Sequence, residues 1–193
     1  SWSPTVSLGT ARRSLGGAGT QPAGLAFGGL PTSATEEYNF STTVTTAAAW
    51  ASGGNLNTAR SRLETVGTQN EALAFGGATS PTSTNTADSE EYNGTSWTEG
   101  NNLNTDRRLL GGAGTQTAGL GFGGISPGPT IVASTEEYGG TSWTNVNNMG
   151  TARYGLAGAG TQTAGLGFGG YQPPGSPPNG NSVNTEEYDG TNW

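Results

Sequence analysis

The sequence repeats itself four times, and this repetition restricts the chain to a fold assembled from equal units. Tryptophans mark the repeats at spacings of 48, 47, 46 and 50 residues: Trp2, Trp50, Trp97, Trp143 and Trp193. In every repeat the second glycine of a Phe-Gly-Gly triplet follows the tryptophan by 27 residues. We therefore expect one domain over residues 1–193, with repeats at approximately 2–49, 50–96, 97–142 and 143–193.

Other residues keep the same register and are the predicted structural anchors. An arginine follows each of the first four tryptophans by ten residues: Arg12, Arg60, Arg107 and Arg153. The phenylalanine of the Phe-Gly-Gly triplet recurs at Phe27, Phe75, Phe122 and Phe168. A Glu-Glu-Tyr triplet ends at Tyr38, Tyr92, Tyr138 and Tyr188. With the tryptophans, and with Leu15, Leu63, Leu110 and Leu156, these residues are expected to hold neighbouring repeats together.

Each repeat is predicted to form four short strands, A to D. Strand A runs from the arginine into a glycine-rich stretch, and strand B carries apolar residues at alternate positions, such as Leu25 and Phe27. Strand C contains Glu-Glu-Tyr and strand D the tryptophan. Between C and D, Asn93-Gly94, Gly139-Gly140 and Asp189-Gly190 favour a two-residue turn with two positive φ angles, whereas the first repeat has an enlarged hairpin over 39–49. This pattern predicts an all-β fold, a propeller of four four-stranded antiparallel blades.

The order of these residues resembles the kelch repeat. The resemblance covers nearly the whole chain, and it implies blades in which Gly-Gly closes the second strand. The segment Gly-Thr-Gln-Thr-Ala-Gly-Leu-Gly-Phe-Gly-Gly at 114–124 also looks like kelch-like repeats of phage and environmental bacterial proteins. Kelch propellers usually have five to seven blades, so four is a departure. Because there are five tryptophans and no initial Met, an excerpt of a longer repeat array is the alternative.

The composition removes most catalytic chemistry. The chain has no His, no Cys and no Lys, so it lacks an imidazole base, a thiol nucleophile and a Schiff-base amine. Copper oxidases, which some kelch-like propellers resemble, need Cys, Tyr and His at the metal. We therefore expect no enzyme, no cofactor and no metal site. The net charge of −7 argues against nucleic acid, and no apolar run is long enough for membrane insertion.

The repeated charges have a functional and a structural interpretation. Paired glutamates could act as acid and base or hold Ca²⁺, and the arginines could bind an anion. Both recur at one fixed position in each repeat, which favours a structural ion pair between the arginine and one glutamate, with the other glutamate solvated. Arg13, Arg62 and Arg108 have no counterpart in the fourth repeat, which carries Tyr154, and are interpreted as surface residues.

The segments between strands B and C differ most between repeats. They span 7, 13, 12 and 16 residues and contain the predicted partner contacts Pro81, Pro127, Pro129, Tyr171, Pro173 and Pro174. In an antiparallel meander these B–C segments and the D–A connections lie at the same end of the blade. We expect a partner to bind there, centred on 78–89, 125–134 and 171–184.

The predicted function is that of a non-enzymatic structural or adhesive module of an extracellular particle such as a virion or a fibre. Its low charged fraction of 11% and its Thr/Asn/Gly-rich character suit an extracellular or virion surface. Other protein subunits or copies of the chain itself are the expected partners, with glycans as a further class. The alternative is a carbohydrate- or protein-binding propeller with its ligand on the B–C/D–A end, for which clustered loop aromatics would be the sign.

Overall fold

The computed structural model describes residue 8 and residues 13–20, 23–29, 35–39, 49–79, 84–172 and 180–193. In these ranges every regular element is a β-strand, and every pairing is antiparallel. The strands are numbered β1 to β22 in chain order. The described residues contain no helix, and so none long and apolar enough to cross a membrane. The predicted all-β fold of small antiparallel sheets is therefore confirmed.

Four larger sheets, here called repeat sheets 1 to 4, follow one another along the chain. Sheet 1 contains β1 (Gly16–Thr20), β2 (Ala23–Phe27), β3 (Thr35–Asn39) and β4 (Ala49–Ser52). Sheet 2 contains β6 (Glu64–Gly67), β7 (Ala72–Phe75), β10 (Ser89–Tyr92) and β11 (Trp97–Glu99). Sheet 3 contains β12 (Gly111–Gly114), β13 (Gly119–Phe122), β16 (Thr135–Tyr138) and β17 (Trp143–Val146). Sheet 4 has three strands, β18 (Ala157–Thr161), β19 (Ala164–Phe168) and β22 (Thr185–Tyr188), because Trp193 lies outside any strand.

Repeat sheets 1 to 3 have the predicted A-B-C-D order, whereas sheet 4 has A-B-C and lacks the predicted fourth strand. The turn between C and D differs from the prediction. Asn93 donates its amide to the Ser96 carbonyl, so the two loop residues are Gly94 and Thr95, and only Gly94 has a positive φ, of 86°. The Asn93 side-chain oxygen accepts the amides of Thr95 and Ser96, which stabilises the turn without a second positive φ.

Three small sheets form in the B–C segments, where the sequence predicted only loops. In the second repeat β5 (Arg60–Ser61), β8 (Ala78–Thr79) and β9 (Thr84–Asn85) form one sheet. The third repeat pairs β14 (Ile125–Ser126) with β15 (Thr130–Ile131), and the fourth pairs β20 (Tyr171–Gln172) with β21 (Gly180–Asn181). The D–A connection joins them through β5 and through the bridges Arg108–Ile125 and Tyr154–Tyr171. The predicted sharing of one end by B–C and D–A segments is thus confirmed in these three repeats.

The first strands of the four repeat sheets lie side by side, β1 against β6, β6 against β12 and β12 against β18. Glycine is required where they approach most closely. A Cβ on Gly158 would lie 2.0 Å from the Gly112 carbonyl oxygen, and one on Gly112 would lie 2.7 Å from the Cγ of Glu64. Strand A is glycine-rich because neighbouring sheets converge there.

A separate hydrophobic core lies between each pair of consecutive repeat sheets. Leu63, Leu110 and Leu156 are buried, whereas Leu15 is 36% exposed. The cores also contain residues that the sequence analysis missed, at a fixed distance of six residues after a tryptophan: Leu56, Leu103 and Met149. The repeated spacing was available as a signal, but one of the three positions carries a different residue type.

Candidate functional site

Each described repeat arginine forms a buried ion pair with the first glutamate of the Glu-Glu-Tyr triplet in its own repeat. The Nη2-to-Oε1 distances are 2.8 Å for Arg60–Glu90, 2.8 Å for Arg107–Glu136 and 2.9 Å for Arg153–Glu186. This confirms the predicted pairing for three repeats. Arg12, like Trp2, lies outside the described residues.

Further hydrogen bonds fix these ion pairs in place. Arg107 Nη1 donates to the carbonyl oxygens of Gly123 and Ser134, and the Asn104 amide donates to the second carboxylate oxygen of Glu136. The pKa of Arg107 is lowered by burial, which the facing Glu136 carboxylate opposes. The guanidinium is therefore occupied by strand C and by the segment before it, and is not offered to an external anion.

The second glutamate of each triplet was predicted to be solvated, and this is wrong for three repeats. Glu37, Glu91 and Glu137 each accept the hydroxyl of a tyrosine in the next repeat sheet, from Tyr92, Tyr138 and Tyr188 respectively. Adjacent residues of a strand point to opposite faces, and here the second face meets the neighbouring sheet. Burial, together with the bond to Glu37, raises the pKa of Tyr92 to about 12, and the pKa values of Tyr138 and Tyr188 are raised for the same reasons.

The predicted aromatic anchors meet both within a repeat, as Tyr138 and Trp143 do at a ring-centroid distance of 5.1 Å, and between sheets. Phe27, Phe75 and Phe122 are fully buried, and each packs on the tryptophan of the following sheet at a ring-centroid distance of 4.8 Å: Trp97, Trp143 and Trp193. Each of these indole N–H groups donates to a strand-C hydroxyl of the preceding sheet: Thr35, Ser89 and Thr135. Tyr38 and Trp50 pair across β3 and β4, and their side chains lie outside what the structure describes.

The glutamine of the Gly-Thr-Gln triplet is an inter-sheet residue that the sequence analysis left within a turn. Gln116 Nε2 donates to the carbonyl oxygens of Ala72 and Tyr92 in the preceding sheet. Gln162 Nε2 does the same with Gly119 and Tyr138. The fixed recurrence of this triplet was the signal that could have identified it.

The residues at the start of strand A in the four repeats surround a cavity of about 240 Å³. At its edge four equivalent residues have a positive φ of 53°, 59°, 56° and 62°: Ser14, Arg62, Leu109 and Gly155. Their backbones are linked, because Gly155 donates to Leu109, Leu109 to Arg62, and Arg62 to Ser14. Arg62 therefore lies at this cavity and is not equivalent to Arg108, which bonds the Asn85 side chain on the B–C side.

Glu64 also lines the cavity, where the other repeats have Gly16, Gly111 and Ala157. Burial raises the pKa of Glu64 to about 7, and a backbone hydrogen bond from Thr65 opposes this shift. Within the described ranges, no group of three carboxylates is close enough together to hold a metal ion.

A second cavity, of about 390 Å³, lies at the B–C/D–A end of the fourth repeat. Its walls contain Tyr154 and Tyr171, whose ring centroids are 5.3 Å apart, together with Asn181 and Ser182. Tyr171 is exposed, as the predicted partner contacts Pro127 and Pro129 are. Pro81, Pro173 and Pro174, and residues 40–48 of the enlarged hairpin, lie outside the described residues.

Comparison with known proteins adds no family assignment. No family model matches the sequence, and no curated protein matches it.

Proposed function

We propose that the chain is a non-enzymatic, kelch-like β-propeller that serves as a structural or adhesive module of an extracellular particle such as a virion or a fibre. Four successive antiparallel meanders support the propeller, as do their adjacent inner strands and the cavity surrounded by all four strand starts. Most of the recurring polar residues that the structure describes are engaged in ion pairs and hydrogen bonds within and between the sheets. The repeated chemistry therefore serves to hold the sheets together.

One observation carries the proposed interaction role. The B–C segments, which differ most between repeats, pair with the D–A connections at a single end of repeat sheets 2 to 4. A rigid scaffold with variable sequence at one end is typical of a binding surface. We propose that this end contacts other protein subunits or further copies of the chain.

The experiment shortens the three long B–C segments to the length of the first and leaves the repeat sheets intact. Association through this end, measured by sedimentation velocity, should weaken while the melting temperature is kept. A control variant is shortened within 39–49, at the other end of the first sheet. If the trimmed chain associates normally and the control does not, the wrong end has been chosen.

A second function is favoured by the Tyr154–Tyr171 pair. Tyrosine rings beside amide and hydroxyl groups stack on and hydrogen-bond sugars, so this cavity suits a glycan. The probe is an array of neutral oligosaccharides. Tyr171→Ala should remove binding, whereas Val183→Ala, at an exposed residue that does not line this cavity, should leave it unchanged. An array that shows no binding by the unaltered chain rejects this function.

A further inference from the structure

Repeat sheet 4 presents the same face that sheets 1 to 3 bury, but here the face is uncovered. Phe168 is 39% exposed, whereas Phe27, Phe75 and Phe122 are all at 0%. Thr185 and Glu187, on the same face of sheet 4, are also exposed. Among the described residues, the side chains of Thr185 and Glu187 form no hydrogen bond.

The three contacts between consecutive repeat sheets, here called junctions, show which groups this face binds. In each of them the next sheet supplies a tryptophan to the phenylalanine, the indole N–H to a strand-C hydroxyl, and a tyrosine hydroxyl to the second glutamate. In sheet 4 the corresponding acceptors are Phe168, Thr185 and Glu187. A partner for this face must therefore supply an indole and a phenol. Their spacing must be that of the tyrosine and the tryptophan in one C–D hairpin.

Repeat sheet 1, with the turn between its strands A and B, carries that set. By register, Gln21, Tyr38 and Trp50 stand where the later repeats have the glutamine, tyrosine and tryptophan that fill a junction. Among the described residues, the strands of repeat sheet 1 make no extensive contact with those of sheet 4, and Phe168 is 39% exposed. In addition, no backbone hydrogen bond joins Ser14 to Gly155 to close the linked series around the cavity.

We propose that this face, the end socket formed by Phe168, Thr185 and Glu187, binds the first repeat of a second copy of the chain. The contact is directional, because repeat sheet 1 of one copy donates the hydrogen bonds and sheet 4 of the other copy accepts them. Such a head-to-tail contact closes into a ring or continues as a filament, depending on the rotation between copies. The inference goes beyond the proposed function and does not use the B–C/D–A end.

The first experiment measures self-association by sedimentation as a function of concentration. Phe168→Glu places a carboxylate in the socket and should raise the dissociation constant by about tenfold or more. Thr141→Glu, at an exposed C–D turn residue outside both the socket and the B–C/D–A end, is the matched control and should change nothing. Should Phe168→Glu impair folding, Thr185→Lys tests the same surface at an exposed hydroxyl. Unchanged assembly in a folded socket variant overturns the proposal.

A mixing experiment tests the direction of the contact. Tyr38→Glu would bring a carboxylate toward Glu187 of the next copy, so this chain should not assemble, and neither should Phe168→Glu. Mixed together, the two should form a one-to-one pair, because one retains the socket and the other the first repeat. Failure to pair, with both variants folded, overturns the head-to-tail contact.

Two further outcomes separate this inference from the proposed function. The chain with shortened B–C segments should still form head-to-tail oligomers; assembly that is lost on loop shortening alone rejects the socket and supports the loop end. A chain that stays monomeric at all concentrations, with amide exchange of β19 as slow as that of β13, shows that its own first repeat covers the face, and this also overturns the proposal.

Discussion

Repeat sheets 3 and 4 have nearly the same sequence, but only sheet 3 has a neighbour on both faces. The strand-B segments Gly119–Phe122 and Gly165–Phe168 are identical in sequence, yet the first is fully buried and the second ends in an exposed phenylalanine. The residue types therefore do not decide burial in this chain. What decides it is whether a following repeat sheet supplies the tryptophan, tyrosine and glutamine.

The largest expected difference between the two sheets comes from the phenylalanines. Phe122→Ala removes a ring that is fully buried against Trp193 and should lower the free energy of unfolding by about 3–5 kcal/mol. Phe168→Ala removes a ring that is 39% exposed and should cost clearly less. Chemical denaturation of dilute, monomeric chains measures both. Equal costs would mean that the face of sheet 4 is covered in solution.

The buried ion pairs provide a second comparison. Arg107→Ala leaves Glu136 as an unpaired carboxylate whose side chain is fully buried, at a cost of about 3 kcal/mol or more. Arg153→Ala should be less damaging, because the Glu186 side chain is 18% exposed and water can solvate it. Thermal melts of the two variants rank them. The opposite order would contradict the assignment of sheet 4 as the exposed end.

Removing single hydroxyl groups should have a smaller effect. Tyr138→Phe deletes the hydrogen bond to the Glu91 carboxylate and should lower the free energy of unfolding by about 2 kcal/mol. Glu187→Gln alters the equivalent acceptor at the uncovered face and should leave the stability of the monomer unchanged. Urea titrations distinguish these outcomes, and a substantial loss for Glu187→Gln would reveal a partner for that carboxylate.

A different kind of effect, a pH dependence of stability, is expected at strand A. The pKa of Glu64 is raised to about 7 in the folded chain, from an ordinary 4.5, so the folded state binds more protons than the unfolded state between these values. Stability should therefore fall as the pH rises from about 4.5 to about 7 and change no further with this group above it. Glu64→Gln should remove this slope.

The matched control for Glu64 places a carboxyl at the corresponding residue of sheet 4. Ala157 is exposed, so Ala157→Glu should titrate near the ordinary value and add no slope between pH 5 and 7. Stability measured across this pH range in both variants tests the comparison. A similar slope from Ala157→Glu would place that residue against a neighbouring strand.

The strand order and the arginine–glutamate pairs could be predicted from the sequence because both recur at fixed spacing. The partner of the second glutamate could not, since a strand pattern shows that Glu91 faces away from Glu90 without showing what lies on that side. The small sheets of the B–C segments were missed because two-residue strands such as Ile125–Ser126 carry no detectable alternation. The positive φ of Arg62 and Leu109 was also hidden, because the usual glycine appears at that position only in Gly155.

The tyrosine–glutamate and glutamine–carbonyl bonds have a consequence for how such a chain can change in length. Each of these bonds joins residues of two consecutive repeats, and each repeat contains both halves of the set. Duplication or loss of one whole repeat would therefore recreate the same junction between its new neighbours, with no compensating substitution. A gain or loss of part of a repeat would leave a donor without its acceptor. Genetic variation in length should therefore occur in steps of one repeat.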